Sequence, residues 1–192
     1  MRADRSVRPA TVADASEIGR IQLQAMKAEL AAGLENPSPA LLASLPEEQF
    51  VQTWRTSIQS PPDGRHLVLT ALDGARVVGF AAIAPAEDLS QATALPSGPA
   101  PLQEGPAQGQ IVALEVGAKE RQRGHGSRLL AACADIFKRT GARRVQVWIS
   151  AGDSARIKFY SEAGFAPAGL RRKLAVGGQS LIQHVWYTDI DS

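Results

Sequence analysis

A single cysteine, Cys133, occurs among 192 residues. One thiol excludes an internal disulfide and a cysteine-built zinc site. The three histidines, His66, His125 and His184, are isolated in sequence, so no pair has metal-ligand spacing and no metal is expected. No stretch of about eighteen consecutive apolar residues exists, and the opening residues have no apolar run of signal-peptide length. A cytoplasmic, unanchored protein is the expectation. The formal charge of +2 is too small to imply nucleic acid as a partner. A nucleophile elbow is also missing, because Gly152-Asp153-Ser154 continues as Ala155-Arg156, not as the Gly-x-Ser-x-Gly pattern of serine hydrolases.

What remains is an ordinary apolar content of 44% in a chain long enough for one well-filled core, with no internal repeat. A single domain over residues 1–192 is expected, and the sequence leaves a homodimer open. Its most informative stretch runs from Ile111 to Ile136. An apolar run with the length of a buried strand leads into Arg121-Gln122-Arg123-Gly124-His125-Gly126-Ser127. Leu129, Leu130, Cys133, Ile136 and Phe137 then recur at helical spacing. Strand, turn and helix follow, with Cys133 as a packed thiol on the apolar helix face. Two glycines in such a turn let backbone N–H groups approach an anion at the positive end of the helix dipole. A Walker loop is excluded, since Gly126-Ser127-Arg128 replaces Gly-Lys-Ser/Thr. A dinucleotide fingerprint fits poorly, because its third glycine would fall at Leu129.

The Arg-x-x-Gly-x-Gly pattern at Arg121–Gly126 resembles the pyrophosphate-binding signature of the GCN5-related N-acetyltransferases (GNAT), which use acetyl-coenzyme A. The following residues extend the likeness. After a strand at Arg144–Ser150, Tyr160 stands seven residues beyond Asp153, and Gly164-Phe165 follows, which is similar to the family's second signature. Two positions depart from it: Asp153 stands where Asn is common, and Arg156 where a small residue is common. An ionised Asp accepts but does not donate hydrogen bonds, so the usual donation to the pantetheine arm is in doubt at Asp153.

The resemblance implies an α/β fold with a mixed, mostly antiparallel twisted sheet, a central parallel strand pair and flanking helices. It also implies transfer of acetyl from acetyl-coenzyme A, as cosubstrate, to the amine of a small molecule or protein N-terminus. Cofactor contacts would come from Val116, Gly117, Arg121, Arg123, Gly124, His125, Gly126, Ser127, Asp153 and Tyr160. His125 would contribute its backbone, and Val116 or Gly117 a carbonyl-polarising N–H. Tyr160 would be the general acid that protonates the departing thiolate. Glu115, at the end of the central strand, is the candidate base. The alternative is a module that binds acyl-coenzyme A without turning it over.

Elsewhere the pattern is simpler. Val7–Ala10 reads as a strand, followed by helices carrying Ile18, Ile21, Ala25 and then Phe50, Val51, Trp54, Ile58, with Trp54 in the core. Asp73-Gly74 and Gly177-Gly178 mark hairpins. Arg171, Arg172 and Lys173 read as a solvated sheet edge. Pro85–Gln108 holds five of twelve prolines and no aromatic residue, so a flexible insertion, dispensable for the fold, is expected there.

Overall fold

A strand-forming N-terminus starts the sheet rather than ending it. β1 (Arg5–Pro9) pairs antiparallel with β2 (Leu67–Asp73), and β2 pairs with β3 (Arg76–Pro85) through the Asp73-Gly74 turn. The computed structural model describes residues 4–101, 105 and 108–190. Between β1 and β2 lie α1 (Ala15–Gly33), a short α2 (Pro39–Ala43) and α3 (Glu47–Gln59). The chain then continues through β4 (Thr93–Ala94), β5 (Gln108–Val116), α4 (His125–Arg139), β6 (Arg144–Ser150), α5 (Ser154–Glu162), β7 (Ala166–Val176) and β8 (Gln179–Asp189). One sheet of eight strands results, in the order β1-β2-β3-β5-β6-β8-β7-β4. Its only parallel neighbours among the described residues are β5 and β6.

That parallel pair positions the site. Its register runs only from Gln108↔Arg144 to Ile111↔Val147, although β5 continues to Val116 and β6 to Ser150. Beyond Ile111 the two strands part, which leaves a gap at their C-terminal ends, where open α/β sheets place ligands.

The two faces of the sheet bury different helices. Leu129, Cys133 and Phe137 of α4 pack on Ile111, Val145 and Val147, the i, i+4, i+8 stripe expected from the sequence. Close approach requires Gly109, because a Cβ there would stand 2.3 Å from the Phe137 ring. Burial pushes the Cys133 thiol up to about 12, so it is a packed, unreactive side chain. On the opposite face Ile18, Ile21 and Trp54 cover Phe80 and Ala82. Trp54 meets Phe80 edge-on at 4.9 Å and donates its indole N–H to Gln22, which satisfies the one polar atom that burial would strand.

Within Pro85–Gln108, expected as a flexible insertion, several described residues contact the sheet. Thr93 and Ala94 add an edge strand to β7, and Leu95 N–H donates to the Gly169 carbonyl at 2.9 Å. Gly169 has φ +73°, and a Cβ on it would lie 2.5 Å from the Pro99 carbonyl oxygen. Glu87 is tied into the sheet. Its carboxylate accepts from Arg172 at 2.8 Å, its N–H donates to Gln110, and its carbonyl accepts from Gln146. Backbone and polar side chains supply this anchorage, so apolar content gives no sign of it. Residues 102–104, 106 and 107, also inside the predicted insertion, lie outside the described residues. The expected solvated edge is corrected at Arg172 as well, since its guanidinium stacks 4.1 Å from the Trp148 ring centroid.

Candidate active site

The end of β5 leads into a 3-10 turn at Ala118–Glu120 and then the loop Arg121–Gly124. Two residues of this loop are left-handed, Gln122 at φ 60° and Gly124 at φ 81°. Glycine tolerates that conformation freely, whereas Gln122 is held there at a cost. The first backbone hydrogen bond of α4 is Arg128 N–H to the Gly124 carbonyl at 3.2 Å. The N–H groups of the preceding residues have no intrahelical acceptor, and the first turn carries no acidic side chain. A nest for an anion follows from the backbone alone.

A cavity of 580 Å³ runs from this nest between the end of β5 and α5. Arg121, Gly124, Gly126 and Ser127 line its outer part, and Glu115, Val116, Asp153 and Tyr160 its inner part. Gly126 leaves room for α5, since a Cβ there would touch the Phe159 ring at 3.4 Å. Three residues expected at the cofactor stand outside the lining. Gly117 directs its N–H to the Val78 carbonyl at 2.9 Å, so that group is already used. Antiparallel alternation then turns the neighbouring Val116 N–H away from β3, toward the gap. Arg123 is turned to Glu120 at 2.8 Å. His125 is buried, 1% exposed, so its ring is withdrawn from the cavity.

At the inner end, the two residues that depart from the family's pattern bind each other. Asp153 caps α5, accepting from Arg156 N–H at 2.9 Å, and its second oxygen accepts from Arg156 Nε at 3.2 Å. The same guanidinium reaches both oxygens of Glu115, at 2.9 and 3.1 Å. Asp153 is thus committed to the helix cap and to Arg156. Sequence reasoning noticed Arg156 only as an anomaly. Its i, i+3 spacing to Asp153 was the available signal, whereas the Glu115 contact spans 41 positions.

Burial raises the proton affinity of the Glu115 carboxyl, Arg156 opposes this, and the nearby charge of Glu29 adds to the rise. Burial alone would lower Arg156, but Glu115, Tyr160 and Asp153 together outweigh it and keep the guanidinium charged. Glu29, which the sequence did not single out, accepts from Ser150 Oγ at 2.5 Å and from Gln183 Nε2 at 3.2 Å. Tyr160 is 1% exposed and packed edge-on between Phe159 and Phe165. Its hydroxyl has no hydrogen-bond partner among the described residues. Burial pushes this phenol above its ordinary value, with Arg156 pulling the other way. A second cavity, 550 Å³, lies between α3 and the sheet and is lined largely by apolar groups such as Phe50, Trp54 and Val112.

The sequence matches the acetyltransferase (GNAT) family over residues 31–165. The chain belongs to that family. Its fold agrees with solved structures of other members. A putative acetyltransferase, yncA, from Salmonella typhimurium with its cofactor acetyl-CoA aligns at TM-score 0.65 and 16% identity, over 98% of this chain and 95% of that one. A ribosomal-protein-alanine N-acetyltransferase from Brucella melitensis aligns at TM-score 0.66 and 20% identity, over 96% and 99%. PaiA N-acetyltransferase from Thermoplasma acidophilum, in complex with coenzyme A, aligns at TM-score 0.65 and 15% identity, over 94% and 98%. No curated protein sequence matches the chain. The mixed sheet with its parallel β5–β6 pair is the GNAT fold the sequence resembled. Among the described residues, no helix is long and apolar enough to cross a membrane.

Proposed function

We propose that this GNAT protein transfers acetyl from acetyl-coenzyme A directly to an amine, in the cytoplasm, with the pyrophosphate on the Arg121–Ser127 nest and the thioester in the β5–β6 gap. One observation carries the reading: a single cavity joins the nest to Glu115 and Tyr160. Residues for an acid, a base and an anion cradle then border one cavity.

Each residue has a step. An alkyl amine of pKa about 10.4 is neutral only about once in 10³ at pH 7, so a base is needed. Glu115 takes that proton, directly or through water, and burial makes its carboxylate more basic than an exposed one. Attack of the amine nitrogen on the thioester carbon forms the C–N bond. The Val116 N–H stabilises the oxyanion as charge develops. When the C–S bond breaks, Tyr160 delivers its proton to the thiolate, the attacking nitrogen sheds its second proton to water as the amide forms, and return of the proton held by Glu115 to the tyrosinate restores both groups. Thiolate and tyrosinate share the same poorly solvated gap. This chemistry asks nothing of a metal.

The test is an acceptor panel of small amines and N-terminal peptides, scored by release of free coenzyme A and by product mass. A mass increase of one acetyl group with stoichiometric thiol release supports the proposal. Tight coenzyme A binding without thiol release from any acceptor would instead identify a non-catalytic acyl-coenzyme A module.

A further inference from the structure

The histidine excluded from the cavity stands in a cluster that the acyl-transfer reading does not use. The fold brings together three residues that sequence spacing gave no reason to connect: Asp73 at the end of β2, Glu120 in the turn after β5, and His125 at the start of α4. One ligand atom from each lies within 4.8 Å of the other two. All three side chains are well covered, with Asp73 at 11%, Glu120 at 14% and the whole of His125 at 1% exposure. Among the described residues, neither ring nitrogen of His125 has a hydrogen-bond partner, and Asp73 Oδ1 has none. Buried polar atoms left this way disfavour folding unless something fills their valence.

The flanking arginines do not fill it. Arg76 reaches Asp73 Oδ2 at 3.2 Å and Glu120 Oε1 at 3.3 Å, long contacts from a side chain that is 64% exposed and free to swing out. Arg123 holds the outer oxygen, Glu120 Oε2. Asp73 Oδ1 and the imidazole remain. A neutral imidazole is a metal donor.

We propose that Asp73, Glu120 and His125 form a divalent transition-metal site, with a Zn²⁺-type ion taking one nitrogen and two carboxylate oxygens and water completing its coordination. The two carboxylates balance the ion's charge, and the surrounding arginine charge is met by an anion on the adjacent nest. The ion would staple the β2–β3 turn and the first turn of α4 across the Arg121–Gly124 loop. Metal and coenzyme A should then strengthen each other's binding by the same factor.

The test uses chelator-stripped full-length protein titrated with Zn²⁺, and with Co²⁺ as a spectroscopic probe. One equivalent should bind, Co²⁺ should show the intense visible absorption of a four-coordinate site, and the melting temperature should rise with metal. His125→Leu and Asp73→Asn should each weaken binding by about tenfold or more. Leucine suits a buried position. Should either variant fold poorly, Glu120→Gln, a near-isosteric change in the turn after β5, decides the matter by the same readout. Absence of saturable binding, or equal binding in wild type and variants, overturns the site. Metal binding is measured without coenzyme A, so this outcome is independent of the acyl-transfer reading. Coenzyme A affinity that is identical with and without saturating Zn²⁺ would overturn the coupling to the loop.

Discussion

Arg156 grips both carboxylate oxygens of Glu115, at 2.9 and 3.1 Å, from a helix 41 positions further along the chain. The contact joins the end of β5 to α5, and it puts the candidate base under the control of a residue that also holds Asp153. Arg156 lowers the proton affinity of Glu115 against the opposing effect of burial.

The sign of the resulting pH dependence is fixed. A base must be ionised, so kcat/KM rises with pH through the raised pKa of Glu115. Arg156→Ala removes the largest influence that lowers this pKa, and the acid limb should move to higher pH. Arg156→Lys, which keeps a charge but not the fork, should fall between. The acceptor's own ionisation is common to all three proteins, so the difference between profiles isolates Glu115. Superimposable acid limbs would show that Glu115 is not the base.

How far the sequence carries is visible in this same region. Glycine spacing and a short motif encode the turn at Arg121–Ser127 and the helix carrying Tyr160 locally. The strand–turn–helix order followed from periodicity. The Glu115–Arg156 contact, the Glu29 hydrogen bonds to β6 and β8, and the approach of Asp73 to His125 are tertiary. No local pattern records which side chains a splayed parallel pair will bring together. Glu87 was missed for another reason. Glu87 and Leu95 are tied to the sheet by hydrogen bonds, and apolar composition is blind to them.

For the nest, the geometry ranks the arginines. Arg121 borders the cavity and Arg123 is engaged with Glu120. Arg121→Ala should weaken coenzyme A binding by about 1.5 to 3 kcal/mol, the range for a hydrogen bond to a charged group. Arg123→Ala should cost less. Gly124→Val should abolish binding through backbone strain at φ 81°. Calorimetric titration checks all three. Equal losses at Arg121 and Arg123 would mean that the cofactor remodels the loop.

The anchored insertion makes a stability prediction where composition predicted none. Glu87 accepts from Arg172, which also stacks on Trp148. Glu87→Ala leaves that partly buried guanidinium without its carboxylate partner and should cost about 1 to 2 kcal/mol, seen as a lower denaturation midpoint. Replacing Glu87–Leu95 with a Gly/Ser linker should cost at least as much. An unchanged midpoint in both variants would return the segment to the status of a tolerated surface loop.

Tyr160→Phe tests the general acid by making stability and activity move apart. The hydroxyl is buried without a partner among the described residues, so it carries a desolvation cost that no hydrogen bond offsets. Its ring is wedged between Phe159 and Phe165, and phenylalanine preserves those contacts. Removing the oxygen should therefore leave the melting temperature unchanged or slightly higher. Were Tyr160 only a core aromatic, activity would be equally indifferent. As the proton donor to the departing thiolate, its loss should lower kcat by about 10² to 10⁴ while coenzyme A affinity changes little. A residue kept at a cost to folding and needed for turnover has the profile expected of a catalytic group. Rate and stability both unchanged, under conditions where the chemical step limits turnover, would assign the proton to water. A fall in melting temperature would instead reveal a structural hydrogen bond to the hydroxyl.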